Sequence, residues 1–311
     1  MQSATASAAT KWADWVLQSD RRASAIQYNE HINSYTVPNK LHGFEKMEAK
    51  YRYFNDGCFE WNRVVLKGRL PRYDFYHANS VHLEGDGQFH VIASQGPLYN
   101  TTDDFWEMVY QQKVAVIVQL CNYTEDYWPK KNQKTFGDCT VSLEAEGLID
   151  ANEPDVKLRT FSVRWNAESG VHTVRHIFYS KWPDFGVPAT VTSVISIIRW
   201  IESNGGMTRN SPVLVHCLAG VGRTGSFILT MMALRRLRQL QSSEDYGAVM
   251  IDLAKELRRQ RSGAIQTPQQ YVFAHAAVLK MLAMVRYSKL VFLVQVFSVQ
   301  LQHNFTRFVE M

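Results

Sequence analysis

Hydrophobic and polar positions along this chain follow two rhythms. Trp12, Trp15, Val16 and Leu17 recur at helical spacing and predict an amphipathic helix near the start. Between residues 51 and 95 the apolar runs are short and punctuated by Gly and Pro. Arg63-Val64-Val65-Leu66 and Phe89-His90-Val91-Ile92 are two of these runs, and the region reads as strand and loop. Thr101 and Thr102 stand before Asp103 and Asp104. That order supplies a side-chain cap and negative charge for a helix through Phe105, Trp106, Met108 and Val109. Residues 114–121 predict a buried strand, and residues 191–202 a helix stopped by Gly205-Gly206. Residues 212–216 are apolar without alternation, as in a strand buried on both faces. Helices are predicted over 225–240, 249–258 and 271–285. The pattern is that of an α/β or α+β domain in which a buried strand feeds a glycine-rich turn and then a helix.

Composition changes this picture little. The 311 residues are 46% hydrophobic and 20% charged, as in a globular protein able to bury a large core. The net charge of +5, from 34 basic and 29 acidic side chains, mildly favours anionic ligands. Dense Lys/Arg blocks are missing, so no nucleic-acid partner is expected. The four cysteines, Cys58, Cys121, Cys139 and Cys217, have no CxxC spacing, which argues against a zinc knuckle and for a reducing, cytoplasmic compartment. The small, polar start does not resemble a cleaved signal. The apolar run 290–301 is interrupted by Gln295, Ser298 and Gln300 and is too short for an integral membrane span.

The chemistry concentrates in Val215-His216-Cys217-Leu218-Ala219-Gly220-Val221-Gly222-Arg223-Thr224-Gly225-Ser226. Gly220, Gly222 and Gly225 satisfy a dinucleotide fingerprint, but that turn belongs near a first strand and has no arginine inside it. No GK[ST] follows, which excludes a P-loop. What remains is a ring of backbone N–H groups closed by the positive end of a helix: a phosphate cradle with a thiol at its base. Amide dipoles and a guanidinium around Cys217 favour the thiolate, the nucleophilic form. Arg223 is the planar fork that grips two phosphate oxygens, and lysine would not replace it. Thr224 can donate its hydroxyl toward the sulfur, and His216 is expected to order the loop by hydrogen bonding. The other three cysteines read as inert buried thiols.

The HCxxGxGR[ST]G pattern resembles the signature of the protein tyrosine phosphatases of the non-receptor-like kind, and the likeness covers roughly residues 40–285. Trp182-Pro183-Asp184-Phe185-Gly186-Val187-Pro188 resembles that family's mobile acid-bearing loop. Gln266-Thr267-Pro268-Gln269-Gln270-Tyr271 resembles its glutamine loop, and Lys50-Tyr51-Arg52-Tyr53 its front loop. The resemblance implies a central, highly twisted mixed β-sheet flanked by helices and hydrolysis of phosphotyrosine in protein substrates through a cysteinyl-phosphate, with no cofactor or metal. It implies Asp184 as general acid and then base, its carboxyl carried close by loop closure and buried there. Gln266 and Gln270 would position water, and Tyr53 would stack on the substrate ring. The backbone of Leu218, Ala219, Gly220, Val221 and Gly222 would bind the phosphoryl group. Asn55 stands where the family usually has an aspartate that holds the substrate backbone. Leu218 replaces a small residue, so its side chain should point away. The segment before Tyr127-Trp128-Pro129 is shortened, leaving Lys130 and Lys131 beyond it. On these grounds residues 1–35 are a helical flank, 36–285 the catalytic domain and 286–311 a tail of unassigned role. Two alternatives stand beside this reading: a relative that binds phosphotyrosine without turnover, and a phosphatase of broader specificity.

Overall fold

The computed structural model describes residues 21–38, 41, 48–71, 73–122, 126–239 and 248–284. The helix predicted at Trp12–Leu17 and the tail at 286–311 lie outside them. Among the described residues nine strands form one mixed sheet: β1 (Arg63–Val65), β2 (Phe75–Leu83), β3 (Asp86–Ser94), β4 (Val116–Gln119), β5 (Gln133–Phe136), β6 (Cys139–Leu148), β7 (Val156–Trp165), β8 (Val171–Tyr179) and β9 (Val213–His216). Their order is β1-β2-β3-β9-β4-β8-β7-β6-β5. β9 runs parallel to β3 on one side and β4 on the other, and β4 runs parallel to β8. The remaining pairs are antiparallel, and β6, β7 and β8 build a wing of long meandering strands.

The helices are α1 (Arg21–Gln27), α2 (Thr102–Gln111), α3 (Thr192–Ser203), α4 (Gly222–Gln239), α5 (Val249–Gln260) and α6 (Pro268–Met284). Side chains on β9 alternate between two cores, as the period of two requires. Val213 and Val215 face a layer built with Ile197, Ile198 and Ile201 of α3, Phe227 and Met231 of α4 and Leu253 of α5. Leu214 faces the other layer, with Phe105, Trp106 and Met108 of α2 and Phe161 and Val174 of the wing. A fully buried side chain of this kind stabilises the fold by roughly 1.5–3 kcal/mol. The absence of alternation at 212–216 therefore has its cause: both faces of β9 are covered.

Two expectations change in detail. The Thr101 hydroxyl does not cap α2; it accepts the Leu98 N–H at 2.9 Å, while the Thr102 hydroxyl bonds the Leu98 carbonyl. The acidic first turn is real, with Asp104 held by Lys50 at 2.9 Å and by Arg69. The helix after the glycine-rich turn begins at Gly222 and not at 225. Arg223 and Thr224 thus belong to its first turn.

Candidate active site

β9 delivers Cys217 to the C-terminal edge of the parallel strands, and residues 217–221 turn back into α4. Four consecutive carbonyls of this turn face outward to protein donors. Leu218 O accepts the Gly96 N–H at 2.8 Å, and Ala219 O and Gly220 O each accept a guanidinium N–H of Arg261 at 3.0 Å. Val221 O accepts the Gly225 N–H at 2.9 Å and the Ile265 N–H at 3.2 Å. With the carbonyls engaged outside, the amides are left to line the concave side, the arrangement that binds anions. The Gly220 N–H reaches Cys217 Sγ at 3.3 Å. Gly220 has φ +72°, and a Cβ there would collide with the Ser94 backbone, so only glycine closes this turn. A Cβ at Gly222 would meet only the side-chain ends of Gln266 and Gln270, which places both amides against the start of α4.

Cys217 is 2% exposed, at the positive end of an 18-residue helix. Arg223 is buried beside it and donates to Asp184 Oδ1 at 2.8 Å and to the Trp182 carbonyl at 3.2 Å. The acid-bearing loop is therefore down on the cradle. Trp182 packs on Phe273 with ring centroids 5.2 Å apart and donates its indole N–H to the Gly186 carbonyl at 3.0 Å, tying the loop's two ends. At its tip Phe185 is 63% exposed with φ +55°, a left-handed conformation that costs roughly 1–2 kcal/mol for a residue with a Cβ. Thr267 Oγ1 holds the Phe185 carbonyl at 3.4 Å.

The Asp184 side chain is 51% exposed and ion-paired. The burial expected for this carboxyl is thus not what it has: loop closure brings it onto a guanidinium at the mouth and does not sink it into an apolar wall. Thr224 is also different. Its hydroxyl is buried and meets no hydrogen-bond partner, the sulfur included; the Gly220 amide is the donor that reaches Sγ. Leu218 is partly buried and packs against the apolar core.

The glutamine loop lies over Gly222. Gln270 is fully buried, its Oε1 accepts the Gln266 N–H at 2.9 Å, and its Nε2 has no partner. The front loop is fastened to the cradle's outer shell: the Arg52 N–H bonds Gln95 Oε1 at 3.1 Å, Gln95 Nε2 bonds the Lys50 carbonyl at 2.7 Å, and the adjoining Gly96 holds Leu218. This leaves Tyr53 half-exposed at the mouth. Burial, then the neighbouring Asp184 carboxylate, push its phenol above the ordinary range, with Cys217 acting in the same direction. Asn55 is exposed on the same loop. Lys130 pairs with Asp126 on the surface.

His216 is fully buried and bonds the Cys217 carbonyl through Nδ1 at 3.0 Å. Burial pushes its pKa down to about 4, so it is neutral at physiological pH. The other cysteines are buried free thiols, with Cys58 pushed up to about 11 by burial, and Cys121 and Cys139 pushed up as well. Among the described residues no group of His, Cys, Asp or Glu side chains is arranged as a metal site.

Sequence reasoning missed Arg261, which is 0% exposed and also bonds Asn79 Oδ1 at 2.8 Å and His77 Nδ1 at 3.0 Å. In the run Arg258-Arg259-Gln260-Arg261 it looks like a solvated basic helix end, and nothing in the spacing marks it as the clamp on the cradle. Tyr127, which meets His216 beneath the turn, and His176, which meets Tyr127, were missed too; nothing in the pattern marks the loop tyrosine or the strand histidine as part of the site.

Residues 47–280 match the family model described as protein-tyrosine phosphatase. The chain is 36% identical over 240 residues to a tyrosine-protein phosphatase Lar-like of Caenorhabditis elegans, covering 74% of this chain and 10% of that protein. It is 32% identical over 273 residues to receptor-type tyrosine-protein phosphatase eta of Gallus gallus, covering 84% and 19%. It is 33% identical over 253 residues to tyrosine-protein phosphatase non-receptor type 9 of Rattus norvegicus, covering 74% and 41%. The chain thus spans between a tenth and about two fifths of the length of these relatives, which are of both receptor and non-receptor kinds. The matched segment contains the cradle, the acid-bearing loop, the glutamine loop and the front loop just described, and on that basis the chain belongs to the protein-tyrosine phosphatase family.

Proposed function

We propose that this chain hydrolyses phosphotyrosine in protein substrates through a cysteinyl-phosphate intermediate. The observation that carries the reading is the convergence at one point of Cys217 Sγ, the amide-lined turn, the positive end of α4 and the Arg223 guanidinium. A bound phosphoryl group takes the guanidinium from Asp184, since a dianion outcompetes a half-exposed carboxylate for the same fork. Asp184, released from the guanidinium and half in water, takes up a proton from solvent beside the ester oxygen. The sulfur attacks phosphorus, the P–O bond to the ring breaks, and Asp184 gives its proton to the departing phenolate. Gln266 and Gln270, already against Gly222, orient water. That water attacks phosphorus, Asp184 takes its proton, and the S–P bond breaks to restore the thiolate.

Tyr53 at the mouth supports a phosphorylated ring over the short phosphoserine side chain, as only an aryl phosphate spans the distance to the cradle floor while stacking on the wall. Within this reading residues 36–285 form the catalytic domain. The four free thiols support a reducing, cytoplasmic setting for this domain. No helix of the described residues is long and apolar enough to cross a membrane. The test is hydrolysis of matched phosphotyrosine and phosphoserine peptides and of a phosphoinositide. Only the first should turn over, and Cys217→Ser should lower that rate by about 10⁴-fold or more while peptide binding persists. Equal rates on all three substrates, or an active Cys217→Ser enzyme, overturn the proposal.

A further inference from the structure

Beneath the cradle runs a chain of polar contacts whose direction is fixed by its two ends. At one end the Cys217 carbonyl can only accept, so His216 Nδ1, 3.0 Å away, carries the proton and His216 Nε2 is an acceptor. Tyr127 Oη lies 2.7 Å from that Nε2 and 3.2 Å from Gln119 Oε1; the nearer, unprotonated Nε2 takes its proton, and Gln119 Oε1 is left to the donor on the other side. At the other end a guanidinium can only donate, so His176 Nδ1, 3.3 Å from Arg159 Nη1, is an acceptor and His176 Nε2 carries the proton. That N–H points to Tyr127 Oη at 2.9 Å and to Gln119 Oε1 at 3.1 Å. Gln119 cannot reverse this, because its Nε2 is committed to the Cys121 carbonyl at 3.1 Å. Every donor in the series Arg159, His176, Tyr127, His216 thus faces the nucleophile.

Arg159 is well fitted to hold the far end. It is 6% exposed, its guanidinium lies over the Trp128 and Phe178 rings at 5.0 and 5.5 Å from their centroids, and its Nε bonds Glu146 Oε2 at 2.6 Å. Both histidines are fully buried and neutral at physiological pH. A neutral imidazole has two tautomers, and only the one with a bare Nδ1 is compatible with the guanidinium.

We propose that Arg159 is a positioning residue for the cradle: by fixing the tautomer of His176 it sets the direction of the Tyr127 hydroxyl and, through His216, the orientation of the peptide that carries Cys217. The proposal rests on Cys217 being the nucleophile. Without the guanidinium His176 is free to turn a bare Nε2 toward Tyr127, whose single proton would then be divided between two imidazoles. The hold on the Cys217 carbonyl slackens although the binding surface is untouched.

Histidine ¹⁵N spectra of the full chain test this directly. The wild type should show His176 protonated at Nε2 and His216 at Nδ1. Arg159→Met should mix the His176 tautomers and lower kcat by about tenfold, with KM held within about twofold, and Arg159→Lys should restore part of both. Tyr127→Phe keeps the ring and cuts the series at its middle; it should lower kcat to a similar degree even if the Arg159 variants fail to fold. Unchanged tautomers in a folded Arg159→Met, an altered tautomer with wild-type kcat, or wild-type kcat in Tyr127→Phe each overturn the proposal. The tautomers can also be read in the Cys217→Ser protein, whose carbonyl is intact. An active Cys217→Ser enzyme with the expected spectra would refute the nucleophile and leave the directed series standing.

Discussion

The cradle and the acid-bearing loop face each other across a single ion pair, yet they are built in opposite ways. The cradle is continuous with a strand buried on both faces, and its outward carbonyls are held by Arg261, Gly96, Gly225 and Ile265. The loop is half in water and is held by the Arg223 contacts, by Thr267 and by its own Trp182 staple, with Phe185 in a strained conformation at the tip. One is shaped in advance for an anion, at the expense of burying a guanidinium. The other rests half in water on a few contacts, the condition under which a lid could open and close.

Breaking the loop's side should give the larger change in rate. Asp184→Ala removes both the proton donor and the carboxylate that competes for Arg223. Steady-state kinetics should show kcat down by about 10²–10⁴-fold together with a lower KM. A raised KM would mean that the ion pair does not compete with substrate. Breaking the cradle's side should appear first as lost stability. Arg261→Met strips the donors from the Ala219 and Gly220 carbonyls and should cost about 2–6 kcal/mol in denaturant unfolding, about 1–3 for each buried carbonyl left bare. A loss below about 1 kcal/mol would show that the turn keeps its shape unaided.

Acid sharpens the contrast more gently. His176, His216 and His275 are fully buried, and burial holds each below the ordinary histidine value, with His216 at about 4 and His275 at about 3. The unfolded chain takes up their protons first as pH falls below about 6.5. The stability they contribute is therefore complete above that pH and is lost on acidification until the folded-state values are reached, at about 1.4 kcal/mol per pH unit for each histidine. Urea midpoints at pH 7.5 and 5 should differ accordingly. The loop at 182–188 has no histidine, so its closure should not share this dependence.

What the sequence disclosed follows the same division. The residues proposed to hold the phosphoryl group form a contiguous string, 217–223, and the strand beneath them lacks alternation because both faces are covered; such features are local and can be read. The wing β6–β8 escaped because its strands are long and partly exposed, with charged side chains interrupting the alternation over 144–148. Arg261 and Arg159 escaped for another reason. Their composition is that of surface residues, and only the folded chain shows that one bonds the cradle's carbonyls and the other lies over two neighbouring aromatic rings. The state of the Asp184 carboxyl was misjudged because its neighbour after closure is a charge, and no spacing rule conveys which of two environments a closing loop meets.

The π-helical turn at Tyr28–Asn33 extends this logic to the front of the molecule. Tyr28 Oη and Arg258 Nη2 both bond the Ile265 carbonyl at 2.8 Å, and Arg258 also bonds the Ile32 carbonyl. Ile265 has φ +65° and immediately precedes Gln266. The residue proposed to aim water is thus braced by chain some 230 positions earlier, and in the proposed reaction the two halves acquire different dependencies: attack by sulfur needs the cradle and the Asp184 proton, whereas clearing the phosphorylated enzyme also needs that brace. Loosening it, as with Tyr28→Phe, should make phosphoenzyme accumulate in rapid-quench measurements while its formation keeps pace.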